Sequence, residues 1–181
     1  MPIKWTDNSE ADALLEREPL ALLIGLVLDQ QVKMEKAFSG PYELQKRIGH
    51  LDAVKIAAMD PAELDRVFRE RPALHRFPGS MAKRVQEMCA ALAENYGGDA
   101  GRVWRDAATG NQLAKNIKAL PGFVEMKVKI TVAVLAKKYG VKPPGWEAEA
   151  ADWLSVAAVD SLETQSGARA VKRHLQAGRG N

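Results

Sequence analysis

Residues 111–139 read NQLAKNIKALPGFVEMKVKITVAVLAKKY, and the fold turns on their centre. Asn111 to Ala119 places Leu113 and Ile117 on one face of a helix; Glu125 to Tyr139, closed by Gly140, is a second helical run carrying Lys127 and Lys129. Between them lies Leu120-Pro121-Gly122-Phe123-Val124. A tight turn between two helices exposes backbone N–H groups at the start of the second, where the helix dipole favours an anion such as a DNA phosphate. Glycine suits such a turn because the backbone must take unusual dihedrals and come close to the phosphate. The same pentapeptide would also serve as a plain turn between packed helices, and the residues alone leave both readings open.

Outward from this element the chain reads as helices. Pro19 suits a first helical turn, and LALLIGLVLDQQVKMEKAF after it is long and apolar enough for a buried helix whose polar end begins at Asp29. Pro41 is expected to open PYELQKRIG, Asp60-Pro61 to cap and start PAELDRVFRE, and Ser80 to cap MAKRVQEMCAALAENY before a Gly97-Gly98 stop. Met81, Val85, Met88, Cys89 and Leu92 recur at helical spacing, which assigns Cys89 to the core. After KPPGW come one or two further helices and an AGRGN tail. No repeat or long linker marks a boundary, so residues 1–181 are expected to form one domain, all-α and arranged as two lobes about a central cleft.

The 181 residues are 46% hydrophobic and 27% charged, which excludes a disordered chain. Leu20 to Leu28 is about half the ~20 residues that a membrane span needs, and the acidic N-terminus lacks the pattern of a secretory signal, so a cytoplasmic location is expected. One cysteine can supply neither a disulfide nor the four thiolates of an iron-sulfur cluster or a zinc site. His50, His75 and His174 have no metal-ligand spacing, and no metal or cofactor is expected. The net charge of +3 is unevenly spread: between Arg102 and Lys142 nine basic residues face only Asp106 and Glu125. That local excess points to a polyanion, or to a solvated helical face.

Two segments in order, Leu22-Leu23-Ile24-Gly25-Leu26-Val27-Leu28-Asp29-Gln30-Gln31-Val32 and LPGFVEMKVKITVAVL, resemble the helix-hairpin-helix-GPD DNA glycosylases, which include endonuclease III and the 3-methyladenine glycosylases. The resemblance covers about residues 19–146, and DQQV, AFSGPY, LPGF and GW are similar to a small actinobacterial branch without a cluster. It implies a protein of base-excision repair, expected to be a monomer, that binds double-stranded, damaged DNA and flips a nucleotide out of the helix. Gln31 matches the gap-filling position beside Gln30. Gly122 matches the first hairpin glycine, with Phe123 following, whereas Val124 replaces the second and resists positive φ.

The resemblance further implies an aspartate beyond the hairpin helix that stabilises the oxocarbenium-like sugar. Counted without gaps that position is Pro144; with Gly140 aligned it is Glu147. Glu147 also reads as a first-turn acid that suits a helix dipole. Asp152 lies one turn further, and Asp29 is a second candidate carboxylate beside the Gln pair. The Schiff-base lysine of bifunctional members is matched by Met126, and Lys127, one residue later, is turned by about 100° on a helix, towards phosphate or solvent. A monofunctional glycosylase without lyase activity is therefore expected, with a non-catalytic sensor of distorted DNA and a plain helical interaction protein as alternatives. Lys127 and Lys129 are expected at phosphate, with Arg76, Lys83 and Arg84 extending the track. Trp104, Phe123, Trp146 and Trp153 are candidates for a base pocket or for the core; Trp146 is the one expected at the cleft.

Overall fold

The computed structural model describes residues 4–150, and among these every regular element is a helix. The fold is all-α, and no described helix is long and apolar enough to cross a membrane. The N-terminal segment is pinned by Asp12, whose Oδ1 accepts from the Trp5 and Thr6 amides and the Thr6 hydroxyl. Helix α1 (Ser9–Arg17) is capped by Asn8, whose side chain accepts from the Glu10 and Ala11 amides.

Helix α2 (Pro19–Leu28) starts at its proline and is buried along its entire surface from Leu20 to Leu28. A helix apolar all round has no face to give to water, so other helices must cover it on every side; α1, α3 (Met34–Ile48) and α6 (Pro78–Tyr96) all pack on it. The expected continuous helix through DQQVKMEKAF is broken here: α2 ends at Leu28, and the chain turns through Asp29 to Lys33 before α3 begins. The backbone leaves helical geometry at Asp29, at ψ 65, and Gln31, at φ 55, takes a left-handed conformation that a right-handed helix does not admit. Pro41, expected as a helix start, lies inside α3. Burial of Met34, Ala37 and Phe38 extends the helix ahead of the proline, offsetting the lost i→i−4 bond.

Helix α4 (Ala53–Ala58) is capped by Asp52 and α5 (Pro61–Arg69) by Asp60, as the Asp-Pro pair predicts. Both pack on α6, which starts two residues before the expected Ser80 cap because Pro78 takes the first-turn position. Gly97 and Gly98, both at positive φ, end α6. Cys89 is fully buried, and burial pushes its thiol up to about 12, which leaves it an inert core residue. Short α7 (Arg102–Arg105) leads to α8 (Gly110–Lys118), capped by Thr109. Helix α9 (Glu125–Lys138) pairs with α8, and α10 (Trp146–Glu149) packs on both. The Tyr139 hydroxyl donates to the Leu15 carbonyl at 2.8 Å, tying the end of α9 to the last turn of α1.

Close approach of α2 and α3 depends on small residues. A Cβ at Gly25 would lie 2.6 Å from Cδ1 of Phe38, a ring wholly buried and stacked on Trp5. Gly25→Ala is expected to lower stability by about 1–3 kcal/mol through overpacking, measured as a shift in the urea midpoint.

Candidate nucleic-acid interface

The last carbonyls of any helix lack an intrahelical partner, and those of α2 end among protein. Leu26 O accepts from Lys127 Nζ at 2.6 Å, Val27 O from Gln30 Nε2 at 2.9 Å, and Leu28 O from the Gln30 amide at 2.8 Å. His75 Nε2 stands 3.0 Å from both Leu28 O and Gln30 O, and Arg84 on α6 donates to Gln30 Oε1 at 3.0 Å. Gln30 is thus held through main chain and side chain. Gln31 follows it, exposed and left-handed. A non-glycine residue in this region costs about 1–2 kcal/mol and persists only where its surroundings impose it. The bonds to Gln30 are what impose it here.

His75 is buried, and burial lowers its pKa below the usual histidine value, so the ring is neutral near pH 7. Its Nδ1 accepts the Phe77 amide at 2.9 Å, so the ring proton sits on Nε2 and points at the two carbonyls. Phe77 itself is 41% exposed, with the Arg76 guanidinium 5.3 Å from its ring centroid. The sequence pattern gave no sign of this pairing, because a lone histidine in a loop has no periodicity. The surface aromatic in Arg76-Phe77-Pro78 was the available signal.

The hairpin stands beside this turn. Gly122 takes φ 91, and a Cβ there would reach only ordinary contact, 3.7 Å from Val27, so the dihedral rather than space requires glycine. Phe123 is buried, anchoring the turn in the core. Val124 adopts φ −74 and ψ 163, where a β-branched residue is at ease; the hairpin is built with one positive-φ residue. Val124 is 63% exposed, and among the described residues no side chain caps α9, which carries Glu125 in its first turn. Val124, Glu125, Met126 and half-buried Lys129 line a hollow of about 390 Å³ there.

Lys127 is placed differently from the sequence expectation, its ammonium turned inward to the Leu26 carbonyl. The basic excess is also partly absorbed locally. Arg102 pairs with Asp106 and Arg105 with Asp99, while Lys137 lies 5.2 Å from the Trp146 ring centroid. Lys115, Lys118 and Lys142 remain exposed.

The two candidate carboxylates are separated. Asp29, half-buried, is the C-cap of α2, two residues beyond Val27, which Gly122 of the hairpin approaches. Glu147 is exposed on α10, in a segment seated on the other end of the α8–α9 pair: Gly110 N donates to Pro144 O at 2.8 Å, and a Cβ on Gly110 would collide with Trp146 N at 2.5 Å. With 14 residues in α9, that end is about 20 Å from the hairpin turn. Trp146, half-buried, shares this remote position, and Trp104 is half-buried against the core. Asp152, Trp153 and His174 lie outside the described residues. Among the described residues, no group of His, Cys, Asp and Glu is arranged to hold a metal ion.

A family model described as HhH-GPD superfamily base excision DNA repair protein matches residues 24–177, beginning inside α2 and spanning both the turn and the hairpin. No curated protein and no solved structure matches the chain.

Replacing Lys127 by Met leaves the Leu26 carbonyl without its cationic donor. The expected cost is about 1–3 kcal/mol of folding stability, read from denaturant unfolding without any DNA present.

Proposed function

The chain belongs to the HhH-GPD superfamily of base excision DNA repair proteins, and from that premise we propose that it binds damaged duplex DNA as a monomer, flips a nucleotide and releases its base by hydrolysis. Phosphate is held at the uncapped start of α9, with Lys129 as the nearby cation. Gln31 and Phe77 enter the duplex together. The observation that carries this reading is the left-handed, exposed Gln31 on a turn tied down from α6 and from the loop before it: strain kept at a protruding side chain is what a wedge requires.

For the chemistry, a carboxylate near C1′ of the flipped sugar would stabilise positive charge as the base leaves with a proton, and water would then add at C1′. Asp29 is the favoured described carboxylate because it stands beside the hairpin, and Glu147 is the second. Met126 has no amine to form a Schiff base, so the reaction ends at the abasic sugar. A non-catalytic sensor of distorted DNA is the alternative reading, favoured by the remoteness of Glu147 from the hairpin.

Duplexes carrying uracil, hypoxanthine, alkylated or oxidised bases, treated with alkali after incubation, separate these readings. The enzyme reading expects base release from at least one of them, abolished by Asp29→Asn or, if the second carboxylate acts, by Glu147→Gln; borohydride should trap no adduct. Tight lesion binding without release supports the sensor, and failure to bind DNA at low salt overturns both.

In the same binding assay, Gln31→Ala and Phe77→Ala should each reduce preference for damaged over intact duplex by about tenfold, or ~1.4 kcal/mol. Lys129→Ala should weaken all duplexes alike and reduce the salt slope by about 1.

A further inference from the structure

Gln31 and Phe77 come from different segments, the turn after α2 and the loop before α6, and one side chain touches the backbone of both. On one side His75 Nε2 reaches Leu28 O and Gln30 O, each at 3.0 Å. On the other, His75 Nδ1 takes the Phe77 amide proton at 2.9 Å. Phe77 N–H can only donate and the two carbonyls can only accept, so the ring satisfies all three partners in a single neutral tautomer. Its centroid lies 6.0 Å from that of Phe77. The ring is buried, so bulk solvent does not reach those bonds to replace them.

We propose that His75 is a positioning residue that sets Gln31 and Phe77 at a fixed separation, so that insertion into the duplex depends on it while attachment to phosphate does not. This rests on the reading of Gln31 and Phe77 as the inserting pair. Among the described residues the partners of His75 are Leu28, Gln30 and Phe77, none of them in the hairpin, so the two functions are divisible. Protonation would place a second N–H on Nδ1, facing the Phe77 amide, and two donors cannot share that contact. The charged groups acting on the ring are Lys36 on α3 and Arg84 on α6, both cationic and both opposing its protonation; Asp29 and Arg76 neighbour its partners in sequence. The clamp therefore opens as pH falls below the usual histidine range of about 6.5.

The test uses the full chain and a duplex bearing a tetrahydrofuran abasic analogue opposite 2-aminopurine, whose fluorescence rises on unstacking, with intact duplex as reference. His75→Gln retains an amide near the Nε2 position and lacks the Nδ1 acceptor; His75→Asn retains an acceptor near Nδ1 and cannot reach the carbonyls. Wild type is expected to prefer the abasic duplex and raise the fluorescence. If it does neither, the insertion reading itself fails, whatever His75 does.

Given that wild-type response, both variants should bind intact duplex as wild type does and lose preference for the abasic duplex by about tenfold. The wild-type preference should hold near pH 7 and decline only as pH is lowered below about 6.5, while His75→Gln stays flat. Either variant matching wild type in preference and fluorescence overturns the proposal, as does an equal loss on intact and abasic duplex. Thermal unfolding identifies a variant that fails to fold, and the pH profile of wild type then decides alone: a flat profile overturns the proposal.

Discussion

The C-terminal end of α2 is the constraint on which the other elements depend. A helix apolar on every face is stable only when surrounded, and surrounding it removes water from the carbonyls at its end. Each unsatisfied buried carbonyl costs about 1–3 kcal/mol. Donors therefore have to be supplied by the chain itself, and two of them come from far away: Lys127 is 101 residues from Leu26, and His75 is 47 from Leu28. Meeting this requirement brings the start of α9, the loop before α6 and the turn after α2 to one place.

That meeting point is also where the exposed features gather. Gln31 is forced left-handed one residue beyond the bonds that satisfy α2. Phe77 is held outward two residues beyond the histidine that caps it. Gly122 and Val27 bring the hairpin against the same helix end. Here one set of hydrogen bonds both satisfies the helix end and holds the backbone at Gln30 and Phe77. Lys127 illustrates the overlap, since the first lysine after the hairpin is committed to the helix end.

The hairpin was legible from the residues because its signals are local. Gly122 and Pro121 interrupt two runs whose apolar residues recur at three and four, and those spacings depend on helix geometry alone. The Asp60 cap and the Gly97-Gly98 stop were readable for the same reason. The break after Asp29 was not, since DQQV contains no proline or glycine and each residue tolerates a helix. Pro41 and Ser80 misled in a related way: each is a good local start, and packing of Met34, Ala37 and Phe38, or the competing Pro78, moved the boundary. The inward turn of Lys127 was equally hidden, because a lysine on a helix can serve a carbonyl or a phosphate until its neighbour is known.

By itself, the sequence determined that this chain is helical, that one helix must be buried on all sides, and that a glycine-dependent turn joins two helices. These follow from composition, spacing and backbone dihedral preference, all properties of neighbouring residues. Only the tertiary structure decided which side chains meet the end of that buried helix. It put Asp29 at the end of α2 and Glu147 on α10, and it made a lone loop histidine the link between the backbone at Gln30 and the backbone at Phe77. Hydrogen-bond satisfaction in the absence of water is a condition on segments far apart in sequence, and it is met only once the whole chain has closed.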